Sequence, residues 1–543
     1  MKEKPKKMKV IFSSNHVLKY LFIFPFFFIF SKQIIAQNLV GYTCGTNHDV
    51  EKHPFQEETY QQHKSEFEQY YKRKVQSLKS EKSLNLPIYT IPTVVHIIHN
   101  NAPLGSTANP TNATIEALLN ATTERFRHTH AGAGSYSNPY YGADSEIEFC
   151  LVGTDPYGSY TSGVVRHNDA SNSVGTISYI NANIEPYIWD RQKYCNMVIV
   201  TDLTDASGYG GNGITLYDAT ELAASYGGER LTAHELGHYF FLRHTFQGGC
   251  NNGDCTDDGD AVCDTPPKLQ PGFVGGSCSN PDNSCTTDED DTSTNNPYRA
   301  VSAGGLGDQE DMVVNYMDYT GVCQDAFTEG QKTRMRATID VYKPDVLANS
   351  IACNAAPIYN NDTGITFWNY EQTDICTELV SFQVNLKNYG SNLLTSAQIQ
   401  IFQDNNPVLI YDWTGSIPFE EEQIITLPTN FTAPIGSFQF FAKAILPNGV
   451  TDNFPANDGD LERTIQYLGG NGCVEYGAGC QTYNPNTASG PGNPTTHTFS
   501  ATFQSANIYE DLIKLCVTTR GDNGSVNETV SYTHLTLPTN REV

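Results

Sequence analysis

The chain has 543 residues, enough for roughly two to four domains, and carries 33 Lys and Arg against 60 Asp and Glu, a formal net charge of −27. An acidic excess of that size argues against nucleic acid as a partner, since phosphates are held by Lys and Arg. The 14 cysteines argue against a reduced cytosolic protein and for disulfides in an exported one.

Residues 1–36 hold seven Lys and Glu3, a charge of +6, so the remainder stands at −33 (−27 minus +6). The basic start, the short apolar run Tyr20–Phe30 and Ala36 ahead of Gln37 read as a secretory signal peptide, too short to span a bilayer comfortably. No later segment is apolar and long enough to cross, so the mature chain is expected to be secreted without a membrane span. Residues 37–86 are polar and rich in Lys, Glu and Gln, with a helical patch near Glu57–Leu78, and read as a pro-segment.

Ile91–Ile98 is a β-rich run and the expected first strand of a core; His96 and His99 on or beside it read as ordinary satisfied side chains. Asn112–Phe126 is an expected helix, with Thr114, Ala117, Leu118 and Ala121 in register. Ile147–Val152 and Tyr194–Val200 are expected strands, and Cys150 and Cys195 are expected to pair between them. Gly208–Gly213 is Gly-rich, and no Gly-Lys-Ser follows to make it a phosphate loop. Gly227-Gly228 should end one helix, and another should begin near Glu229 with Ala233, Leu236, Gly237 and Phe240 on its buried face.

On that second helix His234 and His238 are four residues apart, so both imidazoles leave one face a turn apart and can reach one Zn²⁺ at roughly 2.0–2.1 Å. His244 completes a three-nitrogen set if the chain turns sharply, leaving a fourth position open for water, as catalytic zinc requires. Glu235, one residue off the ligand stripe, is placed to act on that water. Downstream lies Asn315-Tyr-Met-Asp-Tyr319.

These residues resemble the metzincin zinc peptidases, with an eleven-residue zinc motif and a Met-turn. Residues 242–250, Gly259–Pro266, Asn315–Tyr319 and Phe327–Gln331 are similar to the bacterial secreted branch of the pappalysin family, over roughly residues 84–345. The resemblance implies that Met317 forms an apolar floor beneath the ligands and that Tyr319 donates to a developing oxyanion, against the alternative of a packed tyrosine. It implies Cys250–Cys285 and Cys278–Cys323 disulfides, with Cys255–Cys263 as a local addition. Asp260, Asp264 and Thr265 match calcium-holding positions, or else form a solvated acidic loop. Asp288–Asp291 reads as a solvated insertion. Cys44 matches a pro-segment cysteine that caps the zinc, or else it makes an ordinary disulfide. The resemblance has one gap: the eighth motif position is Phe241 where the family has Gly. Glycine there permits positive φ, which costs a bulky residue about 1–2 kcal/mol. Phe241 either takes that strain, or the turn is built differently, or His244 is misplaced.

Thr328–Gln331 is a capping box, so a closing helix should run from there to about Tyr342. The expected fold is α+β: a metzincin-like zincin catalytic domain over 87–345, with a mixed twisted sheet, zinc helix and Met-turn. A linker (346–363), an all-β immunoglobulin-like sandwich (364–467) and a partial C-terminal β-rich segment (468–543) follow, the last with a strand-like run at Thr498–Phe503. The expected function is a secreted, zinc-dependent endopeptidase made as a zymogen and acting on protein or peptide. The alternative is a metzincin-fold binding or adhesive protein, catalytically weak or inactive, which Phe241 and the β-rich tail keep open.

Overall fold

The computed structural model describes residues 65, 67–73, 87–210, 220–224, 228–272, 277–369, 374–375, 379–380, 382–427, 431–432, 436–459, 463–467, 515–520 and 526–532. The expected signal peptide, Cys44 and the strand expected at Thr498–Phe503 lie outside those residues.

The main sheet of the N-terminal part is built on β1 (Tyr89–His99), with β2 (Ile147–Leu151), β3 (Val164–Asn168), β4 (Cys195–Val200), β5 (Gly208–Gly210) and β6 (Thr220–Ala223). The sheet order is β2-β1-β4-β6-β5, and β3 pairs with the second half of β1. Every pairing is parallel except β5 against β6. Residues Ile91 to His99 are all buried, the mark of a strand covered on both faces. Alternation then sorts the side chains. Ile91, Val95 and Ile97 pack with Ile115, Leu119 and Phe126 of α1 (Asn112–Phe126), whereas Ile98 packs with Ile177 and Ile180 of α2 (Ile177–Asn183). Each such aliphatic side chain contributes about 1.5–3 kcal/mol on full burial.

The expected Cys150–Cys195 pair does not form. Cys150 lies opposite Pro92 and Cys195 opposite Thr93, so β1 runs between them. Two strand spacings are about 9.6 Å, beyond the roughly 7 Å reach of a disulfide. Cys150 instead bonds Cys353, 203 residues away in sequence. That bond also changes the reading of the linker: Pro344–Ala348 is a short helix, Asn349–Cys353 a 3₁₀ turn, and Ala352 O accepts from Gly153 N at 2.8 Å. The Gly227-Gly228 helix break is likewise corrected, because the element before Gly228 is strand β6. β-branched Thr220 and a parallel partner in β4 favour strand there.

Beyond residue 362 the described residues are mostly in β-strands. Leu394–Gln403 pairs antiparallel with Asn406–Ile417 and Gly436–Ile445, and Gln383–Asn388 pairs with Thr363–Asn369 and Glu422–Thr426. Ala397, Ile399 and Ile401 of one sheet share a core with Val384, Leu386 and Ile425 of the other, while Gln398 and Gln400 alternate outward. The result is sandwich-like. Among the described residues no helix is long and apolar enough to cross a membrane.

Candidate metal centre

The helix α3 (Glu229–Tyr239) packs beside α1, and its residues Leu231 to Tyr239 are all buried. Its start carries Glu229, favourable at the positive end of the helix dipole and paired with Arg125 at 3.2 Å. His234, Glu235 and His238 are each 0 % exposed, so three polar side chains sit inside an apolar shell. Burial pulls the His234 imidazole down to about 4, opposed by its hydrogen bond to Tyr316, and so holds it neutral.

The turn after α3 delivers the third imidazole. Phe241 has φ 65°, the left-handed conformation. Its N–H donates to His238 O at 2.7 Å and the Leu242 N–H donates to Gly237 O at 3.0 Å, the two bonds of a Schellman closure. Phe241 therefore occupies the conformation that glycine would supply, and it does so while buried at 1 % exposure. His244 arrives 5 % exposed with Nε2 at 3.1 Å from His238 Nε2, and His234 Nε2 lies 3.2 Å from the same atom.

The second ring nitrogens fix the tautomers. His234 Nδ1 is 2.7 Å from Tyr316 O and His238 Nδ1 is 2.8 Å from Leu242 O. A carbonyl only accepts, so each Nδ1 carries the proton and each Nε2 presents a lone pair. Lone pairs that face one another in a buried pocket repel unless a cation lies between them. A tetrahedral zinc with Zn–N near 2.05 Å would set the nitrogens roughly 3.3 Å apart, and the observed spacing fits. The donor set and the carbonyl partners behind it suit that ion.

Gly208 and Gly210 of β5 explain the Gly-rich stretch. A Cβ on Gly208 would stand 2.7 Å from Glu235 Oε1, and one on Gly210 would stand 2.1 Å from Glu235 O. Only glycine lets this strand, last in the sheet order, run directly over the helix that carries the site. On the opposite side Met317 is 0 % exposed and packs under Gly237, where a Cβ would meet its Sδ at 2.4 Å. The turn holding Met317 is set by Asn315, whose Oδ1 accepts from Met317 N at 2.9 Å and whose amide exchanges two 3.0 Å bonds with Gln331. Tyr319 has its ring centroid 5.7 Å from His234 and 5.0 Å from His244, and Phe246 stacks on His244 at 4.7 Å. Sequence reasoning missed Lys268, a fully buried lysine paired with Asp318 beside Tyr319, which ties the cysteine-rich loop to this turn. Its one signal was a lone lysine after Pro266-Pro267.

The remaining expected residues fall away from the histidines. Asp264 accepts from Thr328 Oγ1 and Gly330 N, both at 2.7 Å, and so caps α4 (Glu329–Tyr342) together with the Thr328/Gln331 capping box. Asp260 accepts from Thr265 Oγ1 at 2.6 Å and Val262 N at 3.0 Å. Burial pushes both carboxyls up to about 7 against those hydrogen bonds. Asp288–Asp291 is solvated only in part: Glu289 and Asp290 are exposed, but Asp288 is 0 % and Asp291 5 % exposed. Asn296 donates to Asp288 O and Asp291 O, folding the segment inward. The loop is closed by Cys250–Cys285, Cys255–Cys263 and Cys278–Cys323.

Residues 178–340 match a peptidase family model described as pregnancy-associated plasma protein-A. The chain carries a pappalysin-family metallopeptidase domain. Among curated proteins, an extracellular metalloprotease of Sordaria macrospora is 32 % identical over 205 residues, 36 % of this chain and 62 % of that protein. One of Neurospora crassa is 31 % identical over 209 residues, 37 % of this chain and 63 % of that protein. The chain thus matches these relatives over about three-fifths of their own length. Among solved structures, a Tannerella forsythia promirolysin mutant aligns at 24 % identity with 58 % of this chain and 100 % of that one, TM-score 0.42.

Proposed function

We propose that this chain is a secreted zinc endopeptidase made as a zymogen, with His234, His238 and His244 as zinc ligands. The observation that carries the reading is the convergence of three buried Nε2 atoms, two of them shown by their carbonyl partners to be lone-pair donors. Zinc bound there supplies the Lewis acidity that lowers the pKa of a water from about 15.7 to about 7. Glu235 takes a proton from the attacking water and returns it to the leaving amine. Tyr319 donates its phenol hydrogen to the carbonyl oxygen as charge develops on it. An extended peptide substrate would lie along β5 (Gly208–Gly210) in the manner of strand addition. Met317 supports the ligands through Gly237 in the manner of a Met-turn.

The names of the relatives support an extracellular setting. Of the two features behind the alternative of an inactive binding protein, Phe241 no longer argues for it, being left-handed with His244 beside His238, and the β-rich tail alone still does. Asp260 and Asp264 already accept from protein donors and Thr265 donates to Asp260, so the reading needs no calcium at them. Cys44 as a zinc cap remains part of the zymogen proposal.

Cleavage of casein by the exported protein after activation by limited proteolysis, with and without chelator, tests the reading. Cleavage should vanish on chelation, return with zinc and be absent in Glu235→Gln. Cleavage that survives both treatments would refute it.

A further inference from the structure

A left-handed phenylalanine needs something to hold it, and the structure shows what surrounds Phe241. The helical residues 67–73 pack against the turn that follows α3. Phe67 is 0 % exposed and meets the Phe241 ring edge-on at 4.9 Å, with Tyr71 beside it. The Arg334 guanidinium, fully buried, stands 5.0 Å from Phe67, 5.1 Å from Tyr71 and 4.9 Å from Phe241. Its Nε donates to Phe241 O at 2.9 Å, and its other two nitrogens donate to Glu68 at 2.6 and 3.0 Å. Glu68 also takes Arg243, the residue just before His244, at 3.2 Å.

We infer that residues 67–73 form a brace that holds the Phe241 turn left-handed and so positions His244, with Phe67 and Glu68 acting as positioning residues for the third imidazole. The inference rests on the zinc-site reading above. Glycine at this position would need no brace, because positive φ is free to it. Phenylalanine there persists only where its surroundings over-determine it. The surroundings here come from two sides. From α4, Thr338 Oγ1 donates to Phe240 O at 2.9 Å and Arg334 holds Phe241 O. From the upstream segment, Phe67 covers the ring, while Glu68 supplies the carboxylate for buried Arg334 and grips Arg243 on the far side of the turn. A segment that only covered apolar surface would not place its carboxylate between the arginines flanking Phe241 in space and His244 in sequence. Residues 67–73 therefore work with the catalytic domain, although they lie within the stretch whose composition reads as pro-segment.

The test is a double-substitution cycle on the full chain, read by zinc affinity in competition with a chromophoric chelator and by the Tm of the metal-free protein. Glu68→Gln and Phe67→Leu should each weaken zinc binding by about tenfold, one order in the equilibrium constant. Glu68→Asp should recover part of that loss. In a Phe241→Gly background the same changes should move zinc affinity by no more than about twofold, since the glycine turn forms unaided. The Tm cost of Glu68→Gln should also shrink in that background. Equal losses of affinity and Tm in both backgrounds would overturn the brace, as would unchanged affinity and Tm in Glu68→Gln and Phe67→Leu. If the unaltered chain binds no zinc, the zinc reading fails, while the metal-free Tm cycle still decides the brace.

Discussion

Two clusters of histidines among the described residues, one around His234 and one around His96, are built on opposite logic. In one, His234 and His238 give their Nδ1 protons to carbonyls, so Nε2 lone pairs face one another and His244 adds a third nitrogen. In the other, His96 Nε2 lies 3.1 Å from Asn196 Oδ1 and His96 Nδ1 lies 3.4 Å from His167 Nε2. The Asn196 amide is oriented by Trp189 N donating to Oδ1 and by Nδ2 donating to Trp189 O, so Oδ1 accepts and His96 Nε2 carries the proton. His167 then donates to His96 in a chain where every donor meets an acceptor. Burial alone does not make histidines a metal site. The partner on the second nitrogen decides, because it determines whether lone pairs converge or are consumed.

If that contrast is right, changes around the first cluster strike chemistry and changes in the second strike only stability. The largest effect is expected for Glu235→Gln, which should lower kcat/KM by about 10³–10⁴ with zinc retained, measured on a fluorogenic peptide. Tyr319→Phe should follow, lowering kcat by about 10²-fold with KM nearly unchanged, as for the loss of one oxyanion donor. Zinc lost from either variant would mean that the residue holds the site together and does not serve the reaction.

The smallest effect belongs to the second cluster and depends on pH. Burial holds His96 and His167 down to about 3 from their ordinary 6.5. Between those values the unfolded chain binds protons that the fold refuses, so this contribution is full above pH 6.5 and is lost as pH falls toward 3. The slope is about 1.4 kcal/mol per pH unit for each histidine. His96→Asn should leave peptide cleavage at pH 7.5 unchanged. Between pH 7 and 5.5 its unfolding free energy in urea should fall by about 1 kcal/mol less than that of the unaltered chain. An equal fall would break the contrast from this side.

Local signals in the sequence carried much of this. The limits of α1, the capping box at Thr328 and the start of α3 at Glu229 depend on neighbours within one turn, and the structure has them at those residues. The four-residue spacing of His234 and His238 is equally local. What the sequence hid is long-range. Cys150 finds Cys353 across 203 positions because β1 separates it from Cys195. Asp288 is drawn inside by Asn296, which no charge pattern announces. Phe241 could be flagged as a departure, but its backbone conformation depends on Arg334 and Glu68, far from it in the chain. Why Gly208 and Gly210 must be glycine was equally hidden, because the helix they approach begins some twenty residues later.

The central claim is that His234, His238 and His244 hold one zinc and that the His96 cluster holds none. It is tested most directly by elemental analysis of zinc per chain on the purified protein, beside His238→Asn and His96→Asn. The account predicts one zinc per chain in the unaltered protein and in His96→Asn, and essentially none in His238→Asn after dialysis. Zinc that stays in His238→Asn, or that leaves with His96→Asn alone, would contradict it.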